Sequence, residues 1–190
     1  MDETVIAPNF PAAPTESATP QPAQTNFTTI PAASSTQYPQ LTNVTRSART
    51  VQILKNLAYG KHSELTALTT YLRQDWGLGQ SYPDFASTLE KMAIGGMHHL
   101  DWLSNAIEAF GGNADYSVDG AYWSASAVNQ NTSLPSLLEQ NIVSEQNAIA
   151  CYRQAISQIN NQSLIALIEK IISDEEQHIL ILQKMLESYQ

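Results

Sequence analysis

From residue 46 onward the apolar residues recur at spacings of three and four, the period of an amphipathic helix. This periodicity fills four segments: A from about Ser47 to Asp75, B from Tyr82 to Phe110, C from Leu134 to Ile159, and D from Ser163 to Ser188. Pro83 suits the first turn of B, and Gly111-Gly112 end it. Ser133 reads as the N-cap of C, with Pro135 in its first turn and Ser136-x-x-Glu139 as a capping box. The A–B and C–D connections are short, so each joins antiparallel neighbours. The B–C connection, residues 111–133, is long. At about 3.3 Å per extended residue it exceeds the roughly 40 Å length of such helices. The chain is therefore expected to be all-α, a four-helix bundle with one long crossover. Trp123 and Tyr122 are expected to anchor that crossover to the outside of the bundle.

Seven of the nine prolines precede residue 40, in a stretch rich in Ala, Thr, Ser and Gln. Such a stretch buries too little apolar surface to offset its ordering entropy. Residues 1–43 are read as a disordered tail and 44–190 as the bundle domain. The net charge of −9 argues against a nucleic-acid groove or an anionic membrane surface as partner. Cys151 is the only cysteine, so no internal disulfide or Cys-x-x-Cys knuckle forms. The start of the chain lacks the basic and apolar regions of a secretory signal, and no apolar run approaches membrane-spanning length. A cytoplasmic or other cell-interior location is the default expectation.

The bundle carries an internal repeat. "SELTALTTYLR" (63–73) and "SEQNAIACYRQ" (144–154) share Ser-Glu-x-x-Ala-x-x-x-Tyr at an offset of 81. "GGMHHLDWL" in B and "SDEEQHILIL" in D align at an offset of 79, which sets His99 against His178, Leu100 against Ile179 and Leu103 against Leu182. Helix D then reads Glu175-x-x-His178 where helix B reads Gly96-x-x-His99. Glu64, His99, Glu145, Glu175 and His178 all lie on the apolar stripes of their helices. Glutamates are almost never fully buried without a partner. Three of them with two histidines in one core point to divalent cations, which neutralise carboxylates and accept imidazole nitrogen.

With these motifs in register, residues 44–190 resemble the ferritin-like superfamily, nearer its rubrerythrin and bacterioferritin branch. The resemblance implies a dinuclear iron or manganese site built from one Glu on each of two helices and a Glu-x-x-His on each of the others. By position, Glu64 and Glu145 become terminal carboxylates, His99 and His178 bind one metal each, and Glu175 bridges. Gly96 stands in place of the second bridging carboxylate, and neither Glu90 nor Asp101 is aimed to replace it. A glycine there costs the helix about 1 kcal/mol relative to alanine, which suggests a cavity beside the metals for water, an anion or substrate.

His62 and His98 are read as pointing away from the core. Tyr71 and Tyr152 are read as core residues with satisfied hydroxyls, and as candidates for contact with the carboxylates. In the run Asp174-Glu175-Glu176 only Glu175 lies on the stripe; the run is otherwise a solvated face. The implied activity is oxidoreduction: reduction or dismutation of peroxide, or oxidation of Fe(II) by O2. No Cys-rich electron-transfer module is present, so a reductase would need an external electron donor. Assembly as a homo-oligomer is compatible with this reading. The rival is a non-enzymatic structural or coat-like protein on a degenerate bundle, with the tail mediating assembly.

Overall fold

The structure is a computed structural model that describes residues 32–33 and 37–189. The expectation of a disordered tail therefore lies mostly outside the described residues. Five helices build the four rods of a bundle: α1 (Ala48–Tyr59), α2 (Glu64–Leu78), α3 (Pro83–Ala109), α4 (Ser136–Ile156) and α5 (Gln162–Tyr189). The α2–α3 and α4–α5 hairpins pack as antiparallel pairs, and the 111–133 crossover joins them, as the loop lengths required.

The first rod is broken where one continuous helix was expected. Helix α1 stops at Gly60, whose amide donates to the Asn56 carbonyl at 3.0 Å. A Cβ at Gly60 would sit 2.4 Å from that same carbonyl oxygen, so only glycine fits this exit. Helix α2 restarts at once, because the Ser63 hydroxyl accepts from the Thr66 amide at 3.3 Å and serves as its N-cap. The break thus places Glu64 in the first turn of a new helix.

Helix α4 also begins differently from expectation. It starts at Ser136, Pro135 stands at the cap position without a side-chain bond, and the Ser136–Glu139 capping box does not form. The Ser136 hydroxyl is instead engaged by the Asn131 and Gln140 amides, at 3.0 and 3.2 Å. At the start of α5, Asn161 Oδ1 accepts from the Leu164 amide at 2.9 Å.

Within the crossover, β1 (Ser117–Val118) and β2 (Ala121–Tyr122) form a two-residue antiparallel hairpin. Its turn is Asp119-Gly120, both at positive φ. No period-2 pattern signalled strands of this length. Trp123 does anchor the crossover: its indole N–H donates to Thr66 Oγ1 at 2.9 Å. Tyr122 does not; it is 76% exposed.

Residues 37–43, assigned by composition to the tail, pack on the bundle. Thr42 is bonded through its amide to Ser163 Oγ and through its carbonyl to Asn161 Nδ2, at 2.8 and 2.9 Å. Tyr38 stacks on Trp102 with ring centroids 5.1 Å apart.

The apolar core is divided in two. One cluster joins α1, the C-terminal half of α3, the C-terminal half of α4 and the start of α5. The other joins α2, the start of α3, the start of α4 and the end of α5. Between them lies a layer of buried polar side chains: Glu64, His99, Glu145, Asp174, Glu175 and His178. Among the described residues no helix is long and apolar enough to cross a membrane.

The geometry at Gly60 gives a direct test. Gly60→Ala is expected to destabilise the protein by at least about 1 kcal/mol, measured by urea unfolding, because the clash is with backbone. An exposed glycine without this contact would gain stability on the same substitution.

Candidate metal centre

The polar layer has a repeating logic. Helices α2 and α4 each supply one glutamate, Glu64 and Glu145, while α3 and α5 supply His99 and the Glu175–His178 pair. The Tyr152 hydroxyl donates to Glu64 and the Tyr71 hydroxyl donates to Glu145. Each tyrosine of the repeated Ser-Glu-x-x-Ala-x-x-x-Tyr motif therefore holds the glutamate of the other copy. A reciprocal amide pair, Gln74 and Asn141, lies one turn further along and is itself buried.

All five residues singled out as ligands meet at this layer. His99 Nδ1 is 2.9 Å from Glu175 Oε1 and 3.3 Å from Glu64 Oε2. His178 Nδ1 is 2.6 Å from Glu175 Oε2 and 3.5 Å from Glu145 Oε1. The ligand atoms fall into two triads, Glu64–His99–Glu175 and Glu145–Glu175–His178, each with one donor atom per residue within 4.8 Å of the others. Glu175 belongs to both and gives one oxygen to each side.

The donor set fits a pair of cations on an observation independent of its composition. Despite its short distances, His99 Nδ1 has no hydrogen-bond partner, because neither carboxylate lies in line with it. A ring nitrogen and two carboxylate oxygens converge without bonding one another. That is how ligands surround a common ion. All five residues are no more than 3% exposed.

The electrostatics of the cation-free layer express the same crowding. Burial pushes the Glu64 carboxyl above its ordinary range, and the Glu175 charge adds to the push. Burial, again with Glu175, raises Glu145 to about 7. Burial also acts to raise Glu175, but the attraction of His178 and His99 overrides it and holds this carboxyl well below the ordinary range. Burial disfavours the imidazolium of His178, yet Glu175 and Glu145 raise it to about 10. His99 is raised likewise, against its burial, by Glu64 and Glu175. Protons on the imidazoles thus do part of what cations would do.

Two parts of the sequence reading are corrected. Gly96 does not open a cavity. A Cβ there would lie 3.3 Å from Leu68 Cβ and 3.5 Å from Glu64 Oε2, so α2 already fills the space and the glycine permits its close approach. Asp174 is not on a solvated face; it is fully buried. Its Oδ2 lies 3.3 Å from His99 Nε2, it is paired with Lys170 Nζ at 2.6 Å, and it accepts from the Tyr38 hydroxyl. The Lys170-x-x-x-Asp174 spacing was the one available signal for it. Glu176 is exposed and pairs with Arg153 at 3.0 Å, and His62 and His98 are exposed, as read.

The raised values of Glu145 and His178 fix a pH dependence. Both groups hold protons more tightly folded than unfolded, so their contribution is present at low pH and lost as pH rises through the folded values. Metal-free protein is therefore expected to melt at a lower temperature at about pH 9 than at about pH 6. Metal-loaded protein should show a flatter profile, because cations replace those protons. Thermal melts of both forms across this range check the sign.

The chain matches the family model described as Rubrerythrin over residues 55–186. No curated protein matches it by sequence. Among solved structures it is similar to KatB, a manganese catalase from Anabaena, with a TM-score of 0.72 and 20% identity, covering 82% of this chain and 79% of that one. It is also similar to the Desulfovibrio desulfuricans bacterioferritin, described with a diiron site, with a TM-score of 0.63 and 22% identity over 74% of this chain and 79% of that one. The bacterioferritin BfrA of Mycobacterium tuberculosis superposes with a TM-score of 0.61 at 21% identity, over 76% of this chain and 87% of that one. At these identities the structures speak for a shared ferritin-like fold. The family match spans well over half of the sequence, and the chain belongs to the rubrerythrin family.

Proposed function

We propose that this protein is a dinuclear iron or manganese oxidoreductase acting on peroxide or O2. The observation that carries this reading is the sharing of Glu175 between two triads of buried carboxylates and imidazoles. Two redox metals held side by side supply the electron pair that O–O cleavage requires. Glu64, His99 and Glu175 would hold one, and Glu145, His178 and Glu175 the other.

The residues of the chain set the conditions for that chemistry. Tyr71 and Tyr152 have hydroxyl pKa values raised first by burial and then by the adjacent glutamates, so both remain protonated donors. Tyr152 fixes Glu64 Oε1 and leaves Oε2, the oxygen 3.3 Å from His99 Nδ1, for a cation, whereas Tyr71 fixes Glu145 Oε1, the same oxygen that lies 3.5 Å from His178 Nδ1. The apolar clusters on both sides of the layer exclude bulk water. Entry to a layer this buried is restricted to very small molecules, which suits peroxide and O2 and excludes larger organic substrates. The single cysteine of these 190 residues cannot provide an iron site of four thiolates, so a reductive cycle would draw electrons from a donor outside them, whereas dismutation would need none.

Reconstitution of metal-free protein with Fe(II) or Mn(II), followed by metal analysis and peroxide assays, tests the reading. Two metals per chain with turnover are expected. Glu175→Gln should lower both metal content and turnover by at least about tenfold, since it removes the one carboxylate common to both positions. Metal-free or zinc-only protein without turnover after loading would support the structural alternative instead.

A further inference from the structure

The offset of 79 that pairs His99 with His178 also sets Gly95 against Asp174 and Lys91 against Lys170. The structure shows what this costs one half of the site. On the α5 side, Asp174 faces His99 Nε2, and it is held there by Lys170 and by Tyr38. On the α3 side, the matching position is a glycine. A Cβ at Gly95 would lie 3.4 Å from His178 Nε2, so this glycine faces the outer nitrogen of His178 as Asp174 faces that of His99. Among the described residues no side chain takes the place of the missing carboxylate; the Ala32 carbonyl oxygen lies 3.9 Å from the same Cβ position. His178 is buried, and among the described residues its Nε2 has no hydrogen-bond partner. Lys91, the counterpart of the buried Lys170, is exposed.

A histidine that binds a cation through Nδ1 must carry its proton on Nε2. A carboxylate accepting that proton fixes the tautomer, orients the ring and strengthens the ligand. Asp174 can do this for His99. For His178 the proton would sit on a buried nitrogen without an acceptor among the described residues, and none of these residues opposes the alternative tautomer that blocks Nδ1. Resting on the dinuclear reading above, we propose that the two metal positions are unequal by construction. Asp174 is a positioning residue that makes Glu64–His99–Glu175 the tight position, and Gly95 makes Glu145–His178–Glu175 the weak, exchangeable one.

The test is a titration of the full-length, metal-free chain with Mn(II) under anaerobic conditions, read by calorimetry and by the EPR signal of free Mn(II). Two steps separated by at least about tenfold are expected. At one equivalent, anomalous diffraction should place the ion among Glu64, His99 and Glu175. Asp174→Asn should weaken the tight step by about tenfold or more and shift the weak step far less. Gly95→Asp should tighten the weak step, because its Cβ is accommodated and its carboxylate would face His178 Nε2. Gly95→Ala, which adds the Cβ alone, should leave both steps in place. If Asp174→Asn does not fold, the comparison of Gly95→Asp with Gly95→Ala decides. Two equal steps in the wild type, first occupancy among Glu145, His178 and Glu175, or no difference between Gly95→Asp and Gly95→Ala would overturn the inequality. Absence of any bound Mn(II) would overturn it together with the dinuclear reading.

Discussion

Three carboxylates brought together in a dry core repel one another and lose their hydration, and every other feature of this bundle accommodates that cost. Glu64, Glu145 and Glu175 lie on three different helices and are each no more than 3% exposed. An unpaired buried carboxylate would neutralise itself by taking up a proton. Here the two imidazoles sit close enough to supply opposing charge, and two tyrosine hydroxyls donate to Glu64 and Glu145. The layer interrupts the apolar core, which is left as one cluster on either side. A core divided in this way gives up apolar packing at its middle. Cation binding at the layer can return that stability, because ligand binding to the folded state is itself folding free energy.

The pseudo-symmetry of the two hairpins explains the construction of the layer, and its failures explain the chemistry that distinguishes the halves. The crossed Tyr–Glu bonds require both copies of the repeat to be present and in register. Two positions depart from that symmetry, and they are adjacent. Asp174-Glu175 on α5 corresponds to Gly95-Gly96 on α3. The two glycines have different consequences. Gly96 lets α2 approach through Leu68 and Glu64, while Gly95 leaves the outer nitrogen of His178 without a partner among the described residues. The glycine pair that weakens α3 by propensity is therefore tied to its neighbours on both sides.

Most of this arrangement was legible in the sequence because helical periodicity and an internal repeat are both local patterns. They placed Glu64, His99, Glu145, Glu175 and His178 on inward faces and in register, and the loop lengths gave the topology. What was not legible depended on contacts distant in the chain. The burial of Asp174 follows from Tyr38, 136 residues away, as much as from Lys170 on its own helix. The space at Gly96 could not be known to be filled without the position of Leu68. The break at Gly60 was signalled by Gly60 and Ser63 together, but the apolar stripe continues through it and masks the change of helix. The Asp119-Gly120 turn marked a hairpin too short for any alternation to show.

The central claim is that this acid–imidazole layer is built around two ions that share Glu175. Anomalous diffraction from crystals of the fully Mn(II)- or Fe(II)-loaded protein, recorded at the metal edge, tests it most directly. The account predicts two peaks in the core, one bounded by Glu64, His99 and Glu175 and the other by Glu145, His178 and Glu175. A core without anomalous density after saturating metal, or a single peak away from Glu175, would contradict it.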